Sequence, residues 1–108
     1  MAIHANIASG EALSGAIQLH GYRVSGIQMP SSWTTAALTF QGSVDGVTFN
    51  DIYDEAGVEF SVAAAASIYI GLDAGALELS DIPYLKVRSG TTGTPVNQGA
   101  AREIKLVA

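Results

Sequence analysis

The sequence predicts an all-β domain built as a small antiparallel β-sandwich or barrel. Apolar residues recur at every second position in short runs, and Gly, Asp, Ser or Pro interrupts each run. A period of two gives each strand one buried and one outward face. The inward sets are Ile3/Ala5/Ile7, Ile17/Leu19, Leu38/Phe40, Val58/Phe60/Val62, Ile68/Ile70/Leu72, Leu85/Val87 and Ile104/Leu106.

The N-terminal half is predicted to contain four strands. Within the third strand the inward positions change parity between Val24 and Ile27, which indicates a β-bulge at Ser25-Gly26. Pro30 ends this strand. The four predicted strands are Ile3–Ile7, Ser14–Leu19, Tyr22–Met29 and Leu38–Ser43.

In the C-terminal half, Asp45-Gly46 lies between two strand-like runs and predicts a β-hairpin, because glycine adopts positive φ at little cost. Asp73–Asp81 is predicted to form one helical turn capped by Asp73, and Ser89–Gly99 a long polar loop. The remaining predicted strands are Phe49–Tyr53, Val58–Val62, Ile68–Leu72, Tyr84–Arg88 and Arg102–Val107. If Ile3–Ile7 is counted as an arm, about eight strands remain, a number that favours a two-sheet sandwich.

Length and composition predict one domain over residues 1–108, with residues 1–10 as a possible N-terminal arm. Charged residues make up 14% of the chain, against about 25% in an average domain. A surface this poor in charge favours contact with other proteins, so we expect an assembly subunit, most simply a homo-oligomer. A monomer coated with Ala, Ser and Thr is the alternative.

The same composition argues against several function classes. Five basic residues and a net charge of −5 argue against nucleic-acid binding. The first ten residues lack a signal-peptide pattern, and no apolar run is long enough to cross a membrane. The chain has no cysteine and none of the usual catalytic or phosphate-binding motifs. We therefore expect no enzymatic activity, no catalytic residues, no cofactor and no metal.

A few residues stand out as candidates for chemistry or binding. His4 and His20 fall on outward positions without further ligands at metal-like spacing. The carboxylates Asp45, Asp51, Asp54 and Glu55 are explained by turns, with a bound cation as the alternative. Trp33 either plugs one end of the sandwich or anchors a partner. The predicted partner interface consists of Ile3, His4, Ala5, Asn6, Ile7, Met29, Pro30, Trp33, Thr91, Thr92 and Pro95.

Three segments, Gly26–Thr34, Ala37–Phe49 and Tyr84–Thr91, resemble small proteins from the head-gene regions of tailed bacteriophages and gene transfer agents. Leu38-Thr39-Phe40 followed by Ser43-Val44-Asp45-Gly46 also looks like the hairpin of discoidin-like, galactose-binding-like jelly rolls. The resemblance implies a jelly-roll sandwich on the virion, decorating the capsid exterior or forming the base of a head spike or fibre.

Two functions follow as expectations. The first is a non-enzymatic virion structural protein that contacts the major capsid protein, other virion proteins or its own copies. In that case the arm Ala2–Ile7 adds a strand to a neighbour's sheet. The alternative is a carbohydrate-binding module that attaches to a host surface glycan, with Trp33 and one or more tyrosines exposed together and Asn97, Gln98 or an acidic residue near the sugar hydroxyls.

Overall fold

The computed structural model describes residues 2–72, 79 and 81–108, and these residues form two antiparallel β-sheets. The predicted all-β sandwich is confirmed. The strands are β1 (Ala2–Ile7), β2 (Ile17–Gln18), β3 (Gly26–Gln28), β4 (Leu38–Ser43), β5 (Asn50–Asp51), β6 (Ser61–Val62), β7 (Tyr69–Gly71), β8 (Tyr84–Ser89) and β9 (Arg102–Val107).

The strand order is that of a jelly roll. One sheet runs β1-β9-β3-β7, and the other runs β2-β8-β4-β5. The short strands β5 and β6 follow one another along the same edge of β4. β4, β5 and β6 share one sheet, the other successive strands change sheet, and the last strand, β9, lies between β1 and β3.

The core lies between the two sheets and contains the predicted inward residues of five runs. Ala5, Ile7, Leu19, Leu38, Phe40, Leu85, Val87, Ile104 and Leu106 are fully buried, and Ile17 nearly so. The inward prediction is wrong for two residues: Val58 is 61% exposed and Ile68 is 41% exposed. Each follows a turn, Gly57 (φ 83°) or Ser67 (φ 62°), so regular pairing begins only after it.

The bulge predicted at Ser25-Gly26 is present. Gly26 is the register partner of Val107, and the Ser25 amide also donates to the Val107 carbonyl at 2.8 Å. Two residues of one strand therefore face one residue of its neighbour. The extra residue explains why Val24 and Ile27 are both buried although their spacing breaks the period of two.

The predicted hairpin joins β4 to β5 through residues 44–49. Asp45 Oδ1 accepts hydrogen bonds from the Val47 and Thr48 amides and from the Ser43 hydroxyl. These three donors lower the pKa of Asp45 below its ordinary value. Gly46 adopts the expected positive φ of 79°. The turn thus uses the carboxylate that the sequence left open as a cation ligand.

Residues 2–7, predicted as an arm, form β1 and pair with β9 along their whole length. The helical turn predicted for Asp73–Asp81 lies mostly outside the described residues. Within residues 2–72, 79 and 81–108, no helix is long and apolar enough to cross a membrane.

Candidate functional site

An open groove of about 790 Å³ lies on the outer face of the β1-β9-β3-β7 sheet. Its floor consists of outward side chains from three neighbouring strands: Gln28 from β3, Tyr69 from β7 and Lys105 from β9. These residues alternate with the buried Ile27 and Leu106, so the alternation that fills the core also builds the groove.

A single cross-strand row forms the centre of this face. His4 is opposite Lys105, Lys105 is opposite Gln28, and Gln28 is opposite Tyr69. Neighbouring strands are about 4.8 Å apart, so the backbones at Lys105 and Tyr69 are separated by about 10 Å. An ammonium, an amide and a phenol are therefore lined up over a distance that matches a small ligand.

The Tyr69 ring lies across the sheet over Gly26. A Cβ built on Gly26 would be 2.7 Å from Tyr69 Cζ, so only glycine leaves room for the ring. Gly26 is buried under the ring, while Tyr69 itself remains 60% exposed. The groove thus contains an aromatic side chain whose phenol end covers the backbone at Gly26 and which is largely exposed to solvent.

One wall of the groove is the loop that follows β3. The Ser67 amide donates to the Pro30 carbonyl at 2.9 Å, and the Met29 amide donates to the Ile68 carbonyl at 2.9 Å. These bonds hold the exposed Ser31 and Ser32 beside the β7 strand. The wall therefore adds hydroxyl groups to a floor that already has donors and acceptors.

The charges in the groove differ in how they are partnered. Glu103 contacts His4, with Oε2 3.2 Å from Nδ1. Arg102 donates from Nε to Gln98 Oε1 at 3.1 Å and from Nη2 to Thr34 Oγ1 at 3.4 Å. In the described part of the chain, no carboxylate lies within 4.0 Å of either Arg102 or Lys105. Two cations thus line the groove without an ion-pair partner.

A second charged cluster lies on the other sheet, and its charges are paired with one another. Arg88 Nη2 is 2.8 Å from Asp51 Oδ1 and 3.0 Å from Glu59 Oε2, and the Arg88 side chain is only 8% exposed. Arg88 Nε donates to Thr39 Oγ1 at 3.0 Å, and Nη2 donates to Thr92 Oγ1 at 2.8 Å. Arg88 therefore links the 89–99 loop to the sheet.

The pKa of Asp51 reflects these contacts. Burial raises it, but hydrogen bonds from Arg88, Gln41 and Thr92, together with the positive charge of Arg88, outweigh burial and lower the pKa below its ordinary value. Asp51 is therefore ionised near neutral pH, as required for its ion pair with Arg88.

The 89–99 loop, predicted as a long polar loop, is fixed from inside by Gln98. This side chain is fully buried, donates to Ser89 Oγ and the Thr34 carbonyl, and accepts from the Thr34 amide. Gln98 is thus unavailable for the sugar hydroxyls that it was predicted to bind.

The predicted interface residues do not meet in one place. Ala5 and Ile7 are fully buried in the core, and Ile3 packs partly against it. His4 and Asn6 are exposed on the outer face, while Met29 and Pro30 line the groove. Thr92 belongs to the Arg88 cluster; Thr91 and Pro95 lie in the same loop.

Trp33 is half-buried and packs against the core, with its Nε1 donating to the Ala36 carbonyl at 3.1 Å. Of the two roles considered for it, these contacts favour the plug at one end of the sandwich. An indole whose polar atom is already hydrogen-bonded within its own loop has less to offer a partner.

Residues of the groove that sequence reasoning left out are Gln28, Arg102, Glu103 and Lys105. Tyr69 was noticed only as one of several outward tyrosines. Alternation places Gln28, Tyr69, Glu103 and Lys105 on outward positions, but grouping them requires the register of strands far apart in the chain.

A second hollow, of about 500 Å³, lies beside the 44–49 turn. Its charged lining consists of Asp45, Asp51 and Asp81, with no basic residue. Asp45 and Asp51 are already occupied by hydrogen bonds within the fold. No group of three or more His, Cys, Asp or Glu residues suited to a metal occurs among the residues with described positions.

Comparison with known proteins gives one similar solved structure. It is CBM32-1 from a family 31 glycoside hydrolase of Clostridium perfringens, 12% identical, with a TM-score of 0.49. The similarity covers 99% of this chain and 76% of that chain. No family model and no curated protein matches the sequence. The architecture described above rests on its own strand pairing.

Proposed function

We propose that this protein is a non-enzymatic carbohydrate-binding module and that the groove over β3, β7 and β9 is its binding site. The observation that carries the proposal is the Tyr69 side chain, which lies with its phenol end over Gly26 and is 60% exposed in the groove. The apolar faces of a sugar ring pack well against such a surface. A jelly roll by itself does not decide the function, because the same architecture occurs in both lectins and viral capsids.

The polar lining of the groove supports the same function. Gln28 offers both donors and acceptors, Ser31 and Ser32 offer hydroxyls, and Glu103 offers an acceptor. Each sugar hydroxyl both donates and accepts hydrogen bonds, so a lining with donors and acceptors suits a sugar better than it suits a purely apolar ligand. An open groove also fits a glycan chain that extends beyond the bound residue.

The test is glycan binding by Tyr69→Ala and by Tyr22→Ala as the matched control. Tyr22 is 47% exposed and lies outside the groove. Binding of soluble oligosaccharides would be measured by isothermal titration calorimetry after a glycan-array screen. We expect Tyr69→Ala to weaken binding about tenfold, the loss expected for one aromatic contact of about 1.4 kcal/mol, and Tyr22→Ala to have no effect.

Two results would count against this function. The first is a wild-type protein that binds no glycan on the array at millimolar concentration. The second is equal loss of binding in the Tyr69→Ala and Tyr22→Ala variants, which would place the sugar elsewhere.

A second candidate is the virion structural role, which the free edge of β1 favours. The Val107 carbonyl points towards Ser25, in the direction of β3. Carbonyls alternate in direction along a strand, so those of Leu106 and Ile104 point towards β1. It follows that Ile3 and Ala5 are hydrogen-bonded to β9, whereas Ala2, His4 and Asn6 direct their backbone groups to the open edge.

The β1 edge differs from the other edges of the sandwich. β1 has six residues with no proline and no lysine, whereas the edge strands β2, β5, β6 and β7 have two or three residues each. Short edges are protected from pairing, and a long uncharged edge is not. The partner proposed here is a second copy of the chain, arranged as in a decoration protein or head-spike base on the capsid exterior.

His4→Pro tests this candidate, because it removes only an edge-facing amide and leaves the β1–β9 bonds intact. Light scattering should show a wild-type oligomer and a monomeric His4→Pro variant, with His4→Ala unchanged. A wild-type monomer at millimolar concentration would contradict it. Deletion of residues 2–8 is a poorer test, since Ala5 and Ile7 belong to the core.

A further inference from the structure

We infer that the groove selects sugars that carry an anionic group, and that Lys105 binds that group. This inference rests on the proposed function and adds the ligand class. Its first support is the distribution of charge. The chain has a net charge of −5 and five basic residues, of which two, Arg102 and Lys105, line this groove.

The second support is that the Lys105 ammonium lacks a protein partner, unlike the side-chain charges of Lys86 and Arg88. Lys86 lies over the Phe49 ring, 4.4 Å from its centroid, and Arg88 contacts two carboxylates. By contrast, the Lys105 ammonium contacts no carboxylate and makes no hydrogen bond in the part of the chain that the structure describes, although the residue is half-buried. A lysine whose stem is covered and whose ammonium has no protein partner is available for an anion from solvent.

The third support is the spacing of the row. Lys105 and Tyr69 are two strands apart, about 10 Å between backbones, with Gln28 between them. A pyranose ring stacked on Tyr69 would extend over Gln28, and a carboxylate or sulfate on that ring would point towards Lys105. Arg102 adds a second positive charge at the end of the groove, where Gln98 and Thr34 hold its guanidinium.

Glu103 opposes this selectivity, and its contact with His4 reduces the opposition. The carboxylate is 3.2 Å from the imidazole, and both side chains are about half exposed. Among the residues that the structure describes, the charged groups that line the groove itself are Arg102, Glu103 and Lys105, which sum to +1. Removing the Glu103 charge should therefore increase the preference for anions, which gives a gain-of-function test.

The experiment compares three probes, lactose, sialyllactose and sulfated lactose, by calorimetry on the full chain. The variants are Lys105→Met, which keeps the aliphatic stem, and Arg23→Met, which removes one exposed charge outside the groove. We expect the two anionic probes to bind more tightly than lactose. Lys105→Met should weaken anionic binding roughly tenfold more than it weakens lactose binding, as expected for one charge-assisted contact in a wet groove.

Two further measurements separate the outcomes. Glu103→Gln, which keeps an acceptor oxygen for a sugar hydroxyl, should strengthen binding of sialyllactose relative to binding of lactose. Raising the salt from about 0.1 M to 1 M should weaken anionic binding only, because screening shortens the electrostatic range from about 10 Å to 3 Å.

Equal affinity for lactose and the anionic probes would overturn the inference and leave the proposed function standing. Equal effects of Lys105→Met and Arg23→Met would also overturn it, because the charge would then act at long range. Failure of all three probes, together with an empty glycan array, would contradict the proposed function itself. A preference for sulfate over carboxylate, or the reverse, supports the inference and identifies the anion.

Discussion

Arg88 and Lys105 lie on opposite sheets of the sandwich and use the same positive charge in different ways. Arg88 is 92% buried as a side chain and is neutralised by Asp51 and Glu59, which tie the 89–99 loop to the sheet. Lys105 is half-buried in an open groove with no anion beside it in the described structure. The comparison separates a charge used for stability from a charge available for a ligand.

The difference arises from what covers each strand. β8 carries Arg88 at the point where Glu59 and the loop residue Thr92 close over it. β9 carries Lys105 on a face where the loop after β3 forms one wall of an open groove. Both residues alternate with core positions, so their local sequence patterns are alike and the overlying segments decide their roles.

The largest effect should come from removing the buried charge. Arg88→Met leaves two carboxylates without their cation in a poorly hydrated site, and we expect a loss of about 3–5 kcal/mol in unfolding free energy. Urea denaturation followed by circular dichroism would measure it. Arg23→Met, an exposed site, is the control and should change stability by less than about 0.5 kcal/mol. A loss below about 1 kcal/mol for Arg88→Met would mean that the pairs are solvated.

The turn beside Arg88 can be tested through Gly90. Its φ of 90° suits glycine, and an added Cβ would lie 2.7 Å from the Val96 amide nitrogen. We expect Gly90→Ala to destabilise the fold by about 1–3 kcal/mol, the usual cost of a strained backbone position. Gly93→Ala is the matched control in the same loop, since nothing lies within 4 Å of its Cβ position. Equal thermal midpoints for the two variants would show that the loop adapts.

The ion pairs also predict the direction of the pH dependence. The pKa of Asp51 is lower in the folded chain than the ordinary 3.8, so the unfolded chain binds more protons as the pH falls towards that value. Its stabilising contribution is present above about pH 5 and decreases through pH 4 and below. Asp51→Asn should therefore show a smaller decrease between pH 5 and pH 3 than the wild type. A parallel decrease in both would assign the effect to other carboxylates, such as Asp45.

The smallest effect on stability should occur in the groove. Lys105→Met and Tyr69→Ala each remove a side chain that lies outside the core. For Lys105→Met we expect the unfolding free energy to change by less than about 0.5 kcal/mol. Thermal unfolding by differential scanning calorimetry would check this value. A loss comparable to that of Arg88→Met would show that Lys105 is structural, and the comparison between the two sites would fail.

The fold could be predicted wherever short-range pattern determines structure. The Asp45-Gly46 hairpin and the Ser25-Gly26 bulge depend on a few adjacent residues, and both are present as expected. Val58 and Ile68 fit the alternation and are nevertheless exposed, because turns with positive φ at Gly57 and Ser67 delay the pairing of their strands. Pattern alone does not mark where pairing begins.

The groove could not be predicted in the same way. Its central row joins residues 4, 28, 69 and 105, and each of these positions reads only as an outward polar or aromatic residue in its own strand. The parity of Arg88 likewise indicates an outward side chain, although Glu59 and Thr92 bury it. Contacts between distant strands and overlying loops create both sites, and the sequence contains no local signal for them.

The most direct measurement is an NMR titration of the isotopically labelled full chain with sialyllactose, following each backbone amide. The account predicts saturable shifts at Gln28, Tyr69 and Lys105, reduced in the Lys105→Met variant, with little change at Asp51, Arg88 and Thr92. Saturable shifts centred on the 44–49 turn or the 89–99 loop, with none along the Lys105–Tyr69 row, would contradict it.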